Sequence, residues 1–298
     1  MNNKISVVIT SYKEPKTIGK AIEGFLKQDV KVEEIIVSAP DEETLDVVKK
    51  YSARNKKVKI FQDPGEGKGY ALNQLLLELR GNIIVLSDGD VYVNENSLKY
   101  LLEPFKDPKV GCITGRPVSI NDKKDIFGYW SHLLCDAGAH EARLKRAKKG
   151  EFLECSGYYW AFRNNVIKDF PIDVAEDTIV PYLFREKGYK IAYAPEAIVY
   201  VKFPINLKDF INQKKRTAKG HEALAKYFDI KKLPRTKSFK NEILEGYRAL
   251  LYPRTLKEMF YTFLLLPLRL YTWILVFYHT KIKKQYYEDV WERVESTK

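Results

Sequence analysis

Two aspartates one residue apart, Asp88 and Asp90, close an apolar, β-branched run in the stretch NIIVLSDGDVYV, residues 82–93. Such a run reads as a buried parallel strand. Open α/β sheets bind ligands past the carboxyl ends of their strands, and there two carboxylates flanking Gly89 can turn toward one point. Hard oxygen ligands of this kind suit Mg2+ or Mn2+, and such an ion in turn suits a diphosphate. An isolated pair of this type is more often an ordinary polar turn, so its neighbours must decide.

Further candidates lie on either side. In DPGEGKGYALN, Gly65, Gly67 and Gly69 give a closely approachable backbone and Lys68 a cation, a segment that could cradle phosphate ahead of a helix. The spacing is not that of a Walker loop, and a plain glycine turn reads equally well. Glu176 and Asp177 stand where a helix begins, with Gly188 as its end, and carboxylates there can serve simply as partners of the helix dipole. Gln213 and Arg216, three apart, share one helix face. Arg143, Lys145, Arg146, Lys148 and Lys149 form a dense basic cluster, either a solvated face or a contact for phosphate or lipid headgroups. Tyr158, Tyr159 and Trp160 follow the small Ser156–Gly157 turn and read as core or as a platform for sugar or lipid.

The elements that must position these residues alternate. ISVVIT (5–10), EEIIVS (33–38), 57–61 and the strand ending at Asp88 read as strands; 18–26, 41–51 and 68–79 read as helices. That order predicts a mostly parallel sheet covered by helices. Beyond residue 110 a strand and turn, a long helix over 125–149 and another over 207–228 are expected.

Composition narrows the partners. With 45% hydrophobic and 30% charged residues in 298, the chain is no disordered protein, and a net charge of +12 implies an acidic partner: phosphorylated substrates, an anionic membrane face or nucleic acid. Cys112, Cys135 and Cys155 show no paired spacing, so neither a disulfide framework nor a zinc site is indicated. Met1–Lys4 runs directly into a strand, and the catalytic part is expected on the cytoplasmic side. Residues 1–228 read as one domain and 229–298 as a helical region with an apolar stretch over 256–280. Arg269 within that stretch and basic residues on both flanks argue against a simple span. An interfacial or re-entrant element broken near Pro267 is expected, with a kinked span as the alternative.

Taken in order, ITSYKEP, GKGYALN, SDGD, CSGYYWAFR, AEDT and QKKRT resemble the family 2 glycosyltransferases of GT-A fold, over residues 4 to about 220. The resemblance is to the membrane-associated branch with cellulose and hyaluronan synthases and lipid-directed enzymes. It implies inverting transfer of a hexose from a GDP- or UDP-sugar to a lipid-linked or glycan acceptor. It also implies Asp88 and Asp90 as ligands of Mn2+ or Mg2+, Asp177 as catalytic base, and Glu176, Gln213 and Arg216 around acceptor and diphosphate. Tyr12, Glu14, Asp41, Lys68 and Asp88 would contact the donor. Two departures stand out: Ser38, Ala39 and Pro40 replace the aspartate pair that commonly reads the base, and Thr217 replaces the tryptophan of Q-x-x-R-W, which weakens a polymerase reading. A nucleotidyltransferase would carry a glycine-rich loop with arginine after the first strand, which ITSYKEP lacks. No nucleic-acid recognition motif accompanies the positive charge, so no nucleic-acid partner is expected. A catalytically dead membrane adaptor fits the four residues Asp88, Asp90, Asp177 and Arg216 poorly.

Overall fold

Every residue of the first strand, β1 (Ile5–Thr10), is buried, because a sheet covered by helices on both faces leaves neither side of its central strands to solvent. The structure, a computed structural model, describes residues 4–229, 232, 234–285, 287 and 295–297. After β1 come α1 (Ile18–Leu26), β2 (Glu34–Ala39), α2 (Glu42–Arg54), β3 (Val58–Gln62), α3 (Lys68–Leu76) and β4 (Ile83–Asp88). The four strands are parallel in the spatial order β3-β2-β1-β4, as the alternation predicts. Side chains leave each strand alternately to the two faces. Val7 and Ile9 therefore enter the core beneath α1 with Ile22 and Phe25, while Val8 joins Leu72, Leu86 and Trp160 on the other side.

The second half supplies β5 (Tyr92–Val93), α4 (Ser97–Leu102), β6 (Val110–Ser119), α5 (Ile126–Leu133), α6 (Glu141–Lys148), β7 (Tyr159–Arg163), α7 (Glu176–Glu186), β8 (Lys190–Val201) and α8 (Leu207–Ala223). β7 slots antiparallel between β4 and β6, and β8 and β5 complete an eight-stranded sheet. The long helix expected over 125–149 is instead α5 and α6 joined by a π-helical stretch, Leu134–His140, which rotates the side chains of α6 relative to those of α5. Tyr159 and Trp160 are fully buried core; only Tyr158 keeps partial exposure toward the carboxyl ends of the strands.

Three helices follow, α9 (Phe239–Glu245), α10 (Tyr247–Leu251) and α11 (Leu256–Phe277). The break expected near Pro267 is absent: α11 is one continuous helix of 22 residues. Packing on both sides of the proline holds the halves in line. Leu265 shares a cluster with Tyr129, Trp130 and Phe210, Trp273 and Val276 pack with Ala218, and the Tyr129 and Thr262 hydroxyls lie 2.7 Å apart. Arg269 is no bare charge, since its Nε and Nη2 donate to the two oxygens of Glu242 at 2.6 and 2.7 Å. The opposite face of α11, with Phe260, Phe263, Leu270 and Ile274, is exposed. The end of the helical region expected over 229–298 falls mostly outside the described residues.

Candidate active site

β4 ends in Asp88 because its apolar run stops where the sheet meets solvent, and β1 beside it offers Thr10, whose hydroxyl donates to Asp88 Oδ1 at 3.3 Å. Lys68, the first residue of α3, reaches over the same edge. Its ammonium lies 2.8 Å from Asp88 Oδ1 and 2.7 Å from Glu176 Oε1. One buried cation thus joins the end of β4 to the start of α7, residues more than eighty apart in sequence. Burial opposes its charge, but Asp88 and Glu176 outweigh that and hold Lys68 firmly protonated.

Asp90 is held above the usual carboxylate range, at about 7, by burial first and by the like charge of Asp88 second, while Lys68 and Arg216 pull the other way. Those effects place both aspartates, Lys68 and Arg216 around one point. The turn between the aspartates is tight. A Cβ on Gly89 would come within 2.4 Å of Ser11 Oγ and 2.5 Å of Glu14 Oε2, so only glycine lets the loop close on the first strand's exit. Glu14 is buried under that turn and accepts from Ser11 Oγ at 2.7 Å, so it braces the aspartate loop.

Asp177, the second residue of α7, is buried, and burial raises its carboxyl; Lys237, Lys68 and the Gly157 amide counter this, and Glu176 reinforces it. A Cβ on Gly157 would stand 3.3 Å from Asp177 Oδ2, the close approach its amide needs to donate to that carboxylate. Tyr158, the next residue, feels the charges of Asp88, Asp90 and Arg216 and accepts from Gln213 Nε2 at 3.4 Å. Gln213 and Arg216 of α8 therefore face this cleft from one helix side. Thr217 turns away, donating to Gln213 O at 3.0 Å.

The remaining sequence candidates sit along the β1–β2 edge. Asp41 caps α2 through the Thr44 amide at 2.9 Å and accepts from the Lys13 amide at 2.7 Å, so it fixes the loop that carries Tyr12. Sequence reasoning passed over Asp63, a buried carboxylate just after β3, within 3.4 Å of Ser38 Oγ and accepting from the Gly65 amide at 2.7 Å. Its signal was a lone carboxylate at a strand end beside the glycine loop. It also missed Lys237, which no motif marks. Among the described residues no cluster of three metal-ligating side chains occurs. Two carboxylates nonetheless fit Mg2+ or Mn2+, ions that take their remaining oxygens from phosphates and water, and the mutual repulsion of Asp88 and Asp90 is what such a cation relieves.

The family model described as glycosyltransferase like family 2 matches residues 2–220. Poly-beta-1,6-N-acetyl-D-glucosamine synthase of Staphylococcus aureus is 28% identical over 240 residues, 75% of this chain and 56% of that protein. Its counterpart from Staphylococcus epidermidis is 25% identical over 240 residues. The chain spans little more than half the length of these curated relatives. A mannosyltransferase from Pyrobaculum calidifontis, solved in complex with GDP-Man and Mn2+, superposes with a TM-score of 0.62 at 18% identity, covering 95% of this chain and 83% of that one. This last likeness is one of fold.

Proposed function

The chain belongs to glycosyltransferase-like family 2, and on that premise we propose that it moves a hexose from a nucleoside-diphosphate sugar to a lipid-linked acceptor at the membrane face, with inversion. The observation that carries this reading is the Lys68 bridge, which draws the carboxylates after β4 and those opening α7 to one cleft. Asp88 and Asp90 would hold Mn2+ or Mg2+, which would supply positive charge to offset that of a diphosphate leaving group. Lys68 and Arg216 add fixed positive charge on the same side, where charge grows as the anomeric bond breaks. Tyr12, Glu14 and Asp41 shape the nucleoside end. A mannosyltransferase of like fold binds GDP-Man with Mn2+, so this fold accommodates a nucleoside-diphosphate sugar together with that metal.

Asp177 faces the acceptor. Held by the Gly157 amide, it takes the proton of an attacking hydroxyl as general base, or orients an attacking oxygen already ionised. Glu176 and Gln213 complete that wall. Among the described residues one helical stretch, Leu256–Ile282, is long and apolar enough to cross a membrane. Its exposed apolar face, with Ile243, Leu244 and Leu251 beside it and exposed Arg254, Lys257, Lys281, Lys283 and Lys284 at its ends, supports an in-plane position on an anionic leaflet.

A thermal-shift screen of GDP and UDP with and without Mn2+ tests the donor side: stabilisation that requires the metal is expected, and its absence for every nucleoside diphosphate overturns the reading. A second reading, polymer synthesis, is favoured by the curated relatives, which are named poly-beta-1,6-N-acetyl-D-glucosamine synthases. Thr217, turned back onto its own helix, offers no stacking floor for a growing chain. Product sizing after transfer separates the two.

A further inference from the structure

Tyr158 and Gln213 meet in the cleft with bonding capacity left over. Gln213 Nε2 donates to the Tyr158 phenol oxygen at 3.4 Å. Gln213 is only 9% exposed, yet its Oε1 has no hydrogen-bond partner among the described residues, and neither does the phenol hydrogen. Turning the amide over would let the phenol donate to Oε1 and would leave Nε2 without an acceptor instead. In either orientation the pair presents one donor and one acceptor. A buried amide atom left unpaired costs free energy, which a ligand that supplies the matching group recovers.

The chain around the pair fixes where it stands. Ser87 Oγ, next to Asp88, donates to the Tyr158 carbonyl at 3.4 Å. One residue earlier, Gly157 gives its amide to Asp177, whose Oδ2 would lie 3.3 Å from a Cβ on Gly157. Tyr158 therefore joins the end of β4, with its paired aspartates, to the start of α7, with the carboxylate read as the base. Its ring is pinned edge-on against buried Phe203, with centroids 5.8 Å apart and planes at 76°. α8 brings Gln213 to the phenol from a third side, three residues before Arg216. A group passing from a diphosphate at Asp88 and Asp90 to a nucleophile at Asp177 has to pass Tyr158.

We propose that Tyr158, with Gln213, reads a hydroxyl of the transferred sugar. This rests on the reading of Asp88 and Asp90 as the diphosphate end and Asp177 as the acceptor end, since the sugar lies between the two. A hydroxyl gives one hydrogen and takes one, which is what the pair offers in either amide orientation. Lys68 and Arg216 answer the charge of a diphosphate and are indifferent to what it carries. Phenol and amide are neutral, so they separate a sugar nucleotide from a bare nucleoside diphosphate, and a donor without the matching hydroxyl leaves them unpaired.

Calorimetry in the presence of Mn2+ with GDP, GDP-mannose, UDP, UDP-glucose and UDP-N-acetylglucosamine tests the proposal without any acceptor. The wild-type chain should bind one sugar nucleotide more tightly than the corresponding diphosphate. Tyr158→Phe keeps the ring and removes one hydroxyl; it should cut that margin by about 2- to 10-fold and leave the affinity for the diphosphate as it was. Gln213→Met removes both polar amide atoms at similar length and provides a second variant, with the same loss of margin, should Tyr158→Phe fail to fold. An unchanged margin in both variants overturns the proposal, as does a wild-type chain with no margin for any of the three sugars. So does a diphosphate affinity that falls as far as that of the sugar nucleotide, which would make Tyr158 a support of the cleft and no contact of the sugar. If neither diphosphate binds the wild-type chain, the donor reading itself falls; if a diphosphate binds and the variants keep the margin, only the hydroxyl contact is lost.

Discussion

Replacing Lys68 by methionine removes the cation that bridges Asp88 and Glu176, while keeping a side chain of similar length. The ammonium side chain is 18% exposed, Glu176 7% and Asp88 28%, so both ion pairs are largely shielded from solvent. Removing one partner of a buried pair costs about 3–5 kcal/mol because the remaining charge is left without compensation. Asp88 can regain some water, which favours the lower end, about 3 kcal/mol. For a chain of this size that corresponds to a fall in Tm of about 6–12 °C, from about 2–4 °C per kcal/mol. The metal response should move the opposite way. With no ammonium beside Asp88, Mn2+ alone should bind Lys68→Met more tightly than wild type and restore part of the lost Tm, whereas GDP or UDP should bind the metal-loaded variant more weakly. Differential scanning calorimetry with and without Mn2+, with nucleotide titrations, gives all three numbers. A variant with wild-type Tm, or one whose Mn2+ affinity falls with its nucleotide affinity, would show that Lys68 does not hold these carboxylates together.

Other expectations follow from the same geometry. Gly89→Ala places a methyl against Ser11 and Glu14 and should cost about 1–3 kcal/mol of stability and weaken Mn2+ binding, read by metal titration of Tm. Asp177→Asn should lower kcat by about 10²–10⁴ with a hydroxyl acceptor while metal-dependent nucleotide binding stays intact; a loss of less than tenfold would reduce Asp177 to an orienting group. His221, buried 3.4 Å from Glu154, is pushed down to about 3 by burial and then by Lys237. Its folded pKa lies below its unfolded one, so its contribution is complete above about 6.5 and is lost as pH falls from there toward about 3, by up to about 1.4 kcal/mol per pH unit. His221→Asn should flatten the Tm profile between pH 6.5 and 5. Phe260→Glu and Phe263→Glu, at sites 60% and 57% exposed, should abolish sedimentation with anionic vesicles without lowering Tm, since each ring contributes about 1.5–3 kcal/mol when buried in lipid.

The parallel half of the sheet was legible because β1, β2 and β4 are short apolar runs bounded by turns, a pattern forced by burial on both faces. The aspartates, Lys68, Asp177, Gln213 and Arg216 were singled out by the order of motifs rather than by any one of them. What escaped depends on contacts distant in sequence. Glu242, 27 residues before Arg269, has nothing around it to mark it as a partner. Pro267 looked like a break, but its ring lies on the exposed side of α11 and the packed stripe through Leu265 and Trp273 spans it. Arg143 read as one charge among five on a basic helix; the π-helical stretch before α6 determines that this one turns inward while Lys148 and Lys149 face out.

The clasp between Arg269 and Glu242, with Trp273 Nε1 donating to the same carboxylate at 2.7 Å, bears on how the chain would reach the membrane face proposed for it. A helix whose central cation is already neutralised by a neighbouring helix can fold against its own domain in the aqueous phase and attach afterwards, with no help from insertion machinery. Such an attachment comes off in alkaline carbonate, whereas a threaded helix stays with the vesicle pellet.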